Sequence, residues 1–263
     1  MDKCLMYIKR NKVLNALFFL AIAGLSVSAQ ANSQLANTIA KITPSIVGIG
    51  TYTATARPPA KLLGTGFVIL NGQYVATNSH VVPESLNHET KEKLVVFAGQ
   101  GRQPEYISAK LVARDKAHDL AILKLLNKTL PAMRLKRNKM SRPGEDIAFT
   151  GFPIGAILGL YPVSHRGMIS ALTPVVEPVA HSQQLDITML KRLRDPYIVY
   201  QLDATAYPGN SGSPLYEPTT GDVIGVINKV FVKETKEAVL EKPSGITYAI
   251  PVKYLIKLTQ NVD

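Results

Sequence analysis

Three short motifs place a histidine, an aspartate and a serine in settings suited to nucleophilic catalysis. His80 lies in VATNSHVV, where an apolar run ends in a small polar turn. Asp119 lies in AHDLAILK, just ahead of another apolar run, and Ser211 lies in PGNSGSPL among small residues. A serine hydroxyl is a weak nucleophile until a base takes its proton, which an imidazole does when a carboxylate holds it in the right tautomer. The motifs therefore predict a catalytic triad of His80, Asp119 and Ser211.

The glycines around Ser211 predict an oxyanion hole. Gly209 and Gly212 let the backbone curl, so that the N–H groups of Gly209 and Ser211 can point at one oxygen.

Each motif alone has a structural reading: an ordinary turn at Ser211, a surface or core histidine at His80, and a strand-end cap at Asp119. The conjunction favours catalysis, because the chain order His, Asp, Ser is that of the trypsin-like arrangement and differs from the subtilisin and α/β-hydrolase orders.

The elements that must position these residues read as mostly β. Short apolar segments rich in Val, Ile, Tyr and Phe alternate with turns that contain Gly, Pro or Asn, which indicates an all-β sandwich or barrel. A short helix is predicted over 33–42 and another over 251–260, where apolar residues share one face. The predicted strands are 46–50, 66–70, 74–76, 94–97, 121–125, 147–151, 168–172, 198–202, 223–230 and 247–250.

The first 31 residues have the layout of a secretory signal peptide. Four basic residues precede the apolar run 13–27, and Ala29-Gln30-Ala31 is a cleavage motif. The run is short for a membrane span of about 20 residues, and an uncleaved N-terminal anchor is the alternative reading. Cys4 is the one cysteine and leaves with the leader, so disulfides, cysteine nucleophiles and Cys-ligated metals are excluded from the mature chain. No cofactor and no metal are expected.

The net charge of +11 is spread along the chain without a basic run that would support a nucleic-acid site. Beyond the leader, no second apolar run reaches membrane length, so no membrane span is expected after cleavage. The proline-rich or polar segments 54–62, 173–196 and 232–244 are predicted to be loops that carry specificity or regulation.

The chain resembles the trypsin-like (chymotrypsin-fold) serine proteases, and within them the HtrA (Deg) branch. The matching segments, in family order, are GTGFVI at 64–69, TNSHVV around His80, HDLAILK around Asp119, GFPIG at 151–155, GMISAL at 167–172, QLDATAYPGNSGSPL at 201–215, GDVIGVIN at 221–228 and GITYAIPVKYL at 245–255. The resemblance implies two six-stranded antiparallel β-barrels, the first over about 46–135 and the second over about 145–251, with the triad in the cleft between them. A C-terminal helix is implied over about 252–261, and the segment 32–45 precedes the protease domain.

Two departures from the family pattern bear on function. HtrA proteins usually carry PDZ domains after the protease, whereas only 12 residues follow Pro251, so no PDZ domain is expected. Ser213 stands where the family usually has a second glycine, a form that also occurs in glutamyl endopeptidases. Those enzymes usually hold the substrate glutamate with a histidine, and the matching position here is Ile227. The sequence therefore favours an HtrA-like enzyme, with glutamyl specificity as the alternative.

The resemblance also indicates the substrate pocket. Trypsins select basic side chains with an acid six residues before the serine, where this chain has Thr205. Ala206, Ile227 and Ile246 are expected at the pocket walls and favour a small or medium aliphatic P1 side chain; the alternative for Ile227 is that it faces the barrel core. Without an acid at 205, a basic P1 side chain would find no buried counter-charge.

Taken together, the sequence predicts an exported periplasmic or secreted endopeptidase that cuts unfolded proteins through an acyl-enzyme. The alternative from another class is a non-catalytic, chaperone-like binding protein on the same fold. The expected partners are polypeptide substrates, and a homo-oligomer is compatible with the sequence.

Overall fold

The computed structural model describes residues 34–101, 103–137, 139–153, 159–175, 197–228 and 246–262. The predicted signal peptide and most of the two long predicted loops, 173–196 and 232–244, lie outside the described residues. A helix, α1, covers 34–42 within the described part of the N-terminal segment, and a 3₁₀ turn, Thr43–Ser45, leads from it into the first strand.

Six antiparallel strands close into the first barrel. Around the barrel they follow the order β1-β2-β3-β6-β5-β4. The first three strands and the last three are each joined in sequence, and the two sets pair through β3 with β6 and through β1 with β4. Their bounds are β1 Ile46–Tyr52, β2 Ala60–Ile69, β3 Tyr74–Asn78, β4 Lys93–Ala98, β5 Glu105–Asp115 and β6 Leu120–Leu125. Val47, Val75 and Leu123 are fully buried in one apolar cluster of this barrel. In a small closed barrel, inward-facing side chains of this kind fill the interior.

A second barrel repeats the design with the order β10-β11-β12-β9-β8-β7. Its strands are β7 Asp146–Gly151, β8 Val163–Pro174, β9 Ile198–Asp203, β10 Pro214–Tyr216, β11 Val223–Asn228 and β12 Ile246–Pro251. Phe149, Ile169, Leu215 and Ile227 are among the residues that fill its interior. The predicted fold, two six-stranded antiparallel barrels with a short C-terminal helix, is confirmed.

The largest apolar cluster joins the two barrels. It contains Phe67 and Ile122 from the first barrel, Tyr216 and Val226 from the second, and Leu255 from the C-terminal helix α2, Val252–Thr259. Burying one side chain of this size contributes about 1.5–3 kcal/mol. The cluster therefore fixes how the barrels face each other, and with that the geometry of the cleft between them.

The helix α1 covers the second barrel at the turn that follows β10. Thr38 Oγ1 donates to the carbonyl of Thr219 (3.3 Å), and the Cα of Gly221 approaches so closely that an added Cβ would lie 3.0 Å from Ile42 Cγ2. The segment ahead of β1 is thus packed against the body of the protein. Among the described residues, no helix is long and apolar enough to cross a membrane.

Candidate active site

His80 and Asp119 are joined by two hydrogen bonds. His80 lies in the 3₁₀ turn Ser79–Val81 that ends β3; its Nδ1 is 2.6 Å from Asp119 Oδ2, and its backbone N–H donates to Asp119 Oδ1 at 2.9 Å. Because an ionised carboxylate only accepts, Nδ1 carries the proton in this pair. Nε2 is then left as the acceptor, which is the form that a general base requires.

The backbone of Asp119 is held in a conformation that few non-glycine residues adopt. Its φ is +50°, in the left-handed region. Its carbonyl oxygen accepts hydrogen bonds from Ser79 N–H and from the side-chain amide of Asn78, both at 3.1 Å. The segments around His80 and Asp119 are therefore joined by hydrogen bonds of both the backbone and the side chains.

Asn228, at the end of β11, completes the array and was not predicted. Its Nδ2 donates to Asp119 Oδ2 at 2.8 Å, so this carboxylate oxygen accepts from both Asn228 and His80. The sequence carried one signal for it: a polar side chain that ends the buried run VIGVIN. The partner of that side chain lies 109 residues away and in the other barrel, which no local pattern reveals.

Ser211 lies in a tight turn between β9 and β10. Gly209 has φ +100° and Gly212 has φ +86°, values that suit glycine. The turn is tied to β11, since Gly212 N–H donates to the Ile227 carbonyl (3.0 Å) and Ile227 N–H donates to the Ser213 carbonyl (2.9 Å). Within the described parts of the chain, the N–H groups of Gly209 and Ser211 have no intramolecular acceptor, as an oxyanion hole requires.

The first barrel holds this turn through Thr65 on β2. The N–H of Thr65 donates to the Ser211 carbonyl (2.9 Å), and its hydroxyl donates to the Gly209 carbonyl (2.7 Å). Gly64 lies between the histidine turn and the serine turn, because a Cβ on it would be 2.8 Å from Val81 Cγ2 and 3.0 Å from the Ser211 carbonyl oxygen. The turn that carries His80 and the turn that carries Ser211 are therefore neighbours across Gly64.

Among the described residues no hydrogen bond is made to the Ser211 hydroxyl, so the contact between Ser211 and His80 that catalysis needs is not formed in this structure. Such bonds are often long in ligand-free active sites and tighten only with substrate. Ser211 is nearly buried, with 8 % of its surface exposed.

The predicted pocket residues divide into two kinds. Thr205 is half-buried, whereas Ala206 and Ile227 pack in the apolar core of the second barrel with Phe149. Ile227 is fully buried and so takes the inward orientation, the second of the two considered from the sequence. Ile246 begins β12, and its side chain lies outside the described residues.

Two buried polar side chains near the nucleophile turn, Asn210 and His165, lack hydrogen-bond partners among the described residues. Asn210 is fully buried, and neither side-chain amide atom has a partner among the described residues. His165 on β8 stacks on Phe149 with ring centroids 4.7 Å apart, and its Nε2 is likewise buried and unpartnered in the described structure. Desolvation lowers the pKa of the His165 imidazole below its ordinary value.

Comparison with known proteins gives matches that agree with this geometry. The trypsin-like peptidase domain family matches residues 64–226. A probable periplasmic serine endoprotease, DegP-like, from Halomonas elongata is 30 % identical over 194 residues, which covers 72 % of this chain and 33 % of the relative. A protein of the same description from Pseudomonas putida is 27 % identical over 204 residues, covering 77 % and 35 %. The chain therefore spans about a third of the length of these curated relatives.

Solved structures share the fold. The HtrA-type protease AlgW with a tripeptide has a TM-score of 0.63 and 26 % identity, and the match covers 87 % of this chain and 63 % of AlgW. The active form of a protease from M. tuberculosis has a TM-score of 0.60 and 24 % identity, covering 86 % and 83 %, and supports the fold alone. The family match spans more than half of the chain and includes His80, Asp119 and Ser211. The chain belongs to the trypsin-like peptidase family, among homologues of the HtrA/DegP serine endoproteases.

Proposed function

We propose that this protein is an exported serine endopeptidase in which His80, Asp119 and Ser211 form the catalytic triad. The observation that carries the proposal is the hydrogen-bonded array of His80, Asp119 and Asn228 beside the turn that presents Ser211. In that turn the Gly209 and Ser211 N–H groups lack intramolecular acceptors within the described residues. A nucleophile, an oriented base and two free donors are the parts that acyl transfer needs.

Each residue then has a defined part in the reaction. Ser211 Oγ attacks the scissile carbonyl while His80 Nε2 takes its proton, and the Gly209 and Ser211 N–H groups bind the oxyanion that forms. Asp119 stabilises the imidazolium through its short contact with Nδ1 (2.6 Å). His80 next gives the proton to the leaving amine, and water hydrolyses the acyl-enzyme by the same steps with the roles of Ser211 and water exchanged.

The pocket favours a small or medium aliphatic P1 side chain. Thr205 offers no negative charge to a basic side chain, and Ala206 and Ile227, which pack in the apolar interior of the second barrel, offer none either. The glutamyl alternative needs a cation or a hydrogen-bond donor at the position of Ile227, whose side chain supplies neither. A peptide library cleaved mainly after Val, Ala, Ile or Leu is expected; a profile dominated by Glu, Arg or Lys at P1 would reject this specificity.

The proposed setting is the bacterial cell envelope, and the proposed substrates are unfolded polypeptides. Two relatives are named as periplasmic serine endoproteases, and this chain begins with a basic, then apolar leader that ends in an A-x-A motif. Detection of a protein that starts at Asn32 in a periplasmic fraction is the expected result for the location.

Active-site labelling tests the activity against the binding-protein alternative. We expect a fluorophosphonate probe to label the mature protein and Ser211→Ala to abolish both labelling and turnover, with a loss on the order of 10⁶ in kcat. Ser213→Ala is the matched control: its hydroxyl lies two residues away, buried and without a partner among the described residues, so labelling should persist. Unlabelled, folded wild-type protein that still binds unfolded chains would support the non-catalytic alternative.

A further inference from the structure

A second histidine–aspartate pair lies directly ahead of Asp119 in the chain. In the turn between β5 and β6, Asp115 Oδ1 accepts the backbone N–H of His118 (3.1 Å), and Asp115 Oδ2 is 2.6 Å from His118 Nδ1. As at His80, an ionised carboxylate only accepts, so Nδ1 carries the proton. The side chain of Asp115 thereby closes the turn whose next residue is Asp119, at φ +50°.

The ring of His118 is clamped by two tyrosines from the other half of the chain. It stacks on Tyr254 of α2 with centroids 4.2 Å apart and planes inclined by 22°, and it meets Tyr197 edge-on at 5.0 Å. Tyr254 is itself fixed, because its hydroxyl accepts the N–H of Ile198 at the start of β9 (3.3 Å). The turn that carries Asp119 is therefore anchored to elements of the second barrel and to the C-terminal helix.

Asp119 requires such an anchor. Left-handed backbone at a residue other than glycine is strained and persists only where its surroundings determine it. The carboxylate must also keep both of its contacts with His80, at 2.6 and 2.9 Å, and small displacements of catalytic groups cost large factors in rate. The known contacts of Asp119 hold its carbonyl and carboxylate, whereas the backbone on its N-terminal side is held by His118 and Asp115.

We propose that His118 is a positioning residue. It holds Asp119, and through Asp119 the imidazole of His80, in the position that proton transfer from Ser211 requires. This inference rests on the proposed function. No hydrogen bond joins His118 to His80 or Ser211 among the described residues; it acts through the hydrogen bond to Asp115 and the stack on Tyr254. Its side chain is partly exposed (23 %), so the space left by its removal opens to solvent, and the folded fraction is measured together with turnover.

Three substitutions at His118 separate its two contacts. His118→Asn keeps an N–H donor at the place of Nδ1 but loses the ring, His118→Phe keeps a ring on Tyr254 but loses the donor, and His118→Ala loses both. We expect His118→Ala to lower kcat by roughly ten- to a hundredfold with KM unchanged. The Asn and Phe variants should each recover part of the loss. His88→Ala, an exposed histidine in the loop before β4, is the control and should keep wild-type kcat.

Two further readouts distinguish positioning from general destabilisation. The His80 Nδ1 proton, shared with Asp119, should give a low-field ¹H NMR resonance that shifts or broadens in His118→Ala and stays in His88→Ala. If the stack transmits the effect, Tyr254→Leu should lower kcat, and the double variant His118→Ala/Tyr254→Leu should lose less than the sum of the two single losses in activation free energy.

The outcomes are separable from failure of the proposed function. Wild-type protein without turnover or Ser211 labelling would overturn the proposed function. Active wild-type protein whose His118→Ala variant keeps kcat and the His80 resonance would overturn the positioning proposal alone. The proposal also fails if kcat falls only in proportion to the folded fraction, measured by circular dichroism at the assay temperature.

Discussion

The contacts of the Asp119 carboxylate orient the His80 imidazole and select its tautomer. Oδ1 accepts the His80 backbone N–H, and Oδ2 accepts from both His80 Nδ1 and Asn228 Nδ2. We expect Asp119→Asn to lower kcat by about 10⁴, because the amide favours the wrong imidazole tautomer. The measurement is kcat on a peptide substrate. Asp146→Asn, at an exposed aspartate paired with Arg166, is the control and should leave kcat unchanged.

His165 gives a prediction about pH. Burial lowers its pKa, so as pH falls below about 6.5 the unfolded chain takes up a proton that the folded protein does not yet bind. The free energy of unfolding should therefore decrease as pH falls from about 6.5 toward the lowered pKa, with no contribution above that window. His165→Phe should make urea denaturation less pH-dependent between about pH 7 and pH 5, and the exposed His88→Phe should not. An equal slope in wild type and His165→Phe would contradict the assignment.

The nucleophile turn gives a prediction at the scale of elements. Gly212 has φ +86°, and a Cβ on it would lie 2.1 Å from the Thr65 carbonyl oxygen and 2.3 Å from Thr77 Oγ1. Gly212→Ala should push the turn away from β2, destabilise the protein by several kcal/mol and abolish Ser211 labelling. Denaturant midpoints and fluorophosphonate labelling measure the two effects.

Gly99→Ala is the matched control for this turn. Gly99 has nearly the same backbone angle, φ +87°, but a Cβ there meets no atom within 4 Å. Its substitution should cost only the strain of the left-handed backbone, about 1–2 kcal/mol, and leave labelling intact. If both variants behave alike, the clash with the first barrel is not what holds the turn.

The strands show what local sequence pattern can and cannot predict. Strands such as Ile46–Tyr52 and Asp146–Gly151 were predicted because buried, β-branched runs bounded by turn residues are informative. The strand Glu105–Asp115 was missed, since only Ile107 in it is buried and lysine and arginine interrupt its apolar residues. Pro214–Tyr216 was missed because three residues are too few for a period to be seen.

The same limit applies to the site. His80, Asp119 and Ser211 were predicted because each lies in a recognisable short motif. Asn228 and Thr65 were not, although both hold the site together, since their roles arise from contacts 109 and 144 residues away in sequence. A side chain whose only function is a contact across the cleft leaves no periodic or local trace.

At the scale of the whole molecule, the N-terminal segment bears on activation. Trypsin-like zymogens are commonly activated when a cut creates a new N-terminal ammonium, which inserts beside an aspartate next to the nucleophile. This chain has Asn210 at that position, and an amide offers a buried ammonium no full counter-charge. The helix 34–42 is packed on the second barrel, and Ile46 already pairs with Phe67. We therefore propose that signal removal near Ala31 is the only proteolysis required.

Two versions of the protein test this proposal. One starts at Asn32 and the other carries extra residues ahead of it, and their kcat values should be equal because the proposal requires no ammonium at a new N-terminus. A third version that starts at Ile46 loses the helix and should have a lower melting temperature. Activity that arises only after a cut between about residue 40 and Ile46 would reject the proposal.

The division of the site between the barrels has a consequence for engineering. His80 and Asp119 belong to one barrel, Ser211 and Asn228 to the other, and the segment between Leu125 and Asp146 connects them. Under the proposed function, neither barrel alone can hydrolyse a peptide bond. Cutting that connection would make the molecule a logical AND gate. Two fragments, each fused to one member of an interacting pair, would produce signal only when the pair brings them together.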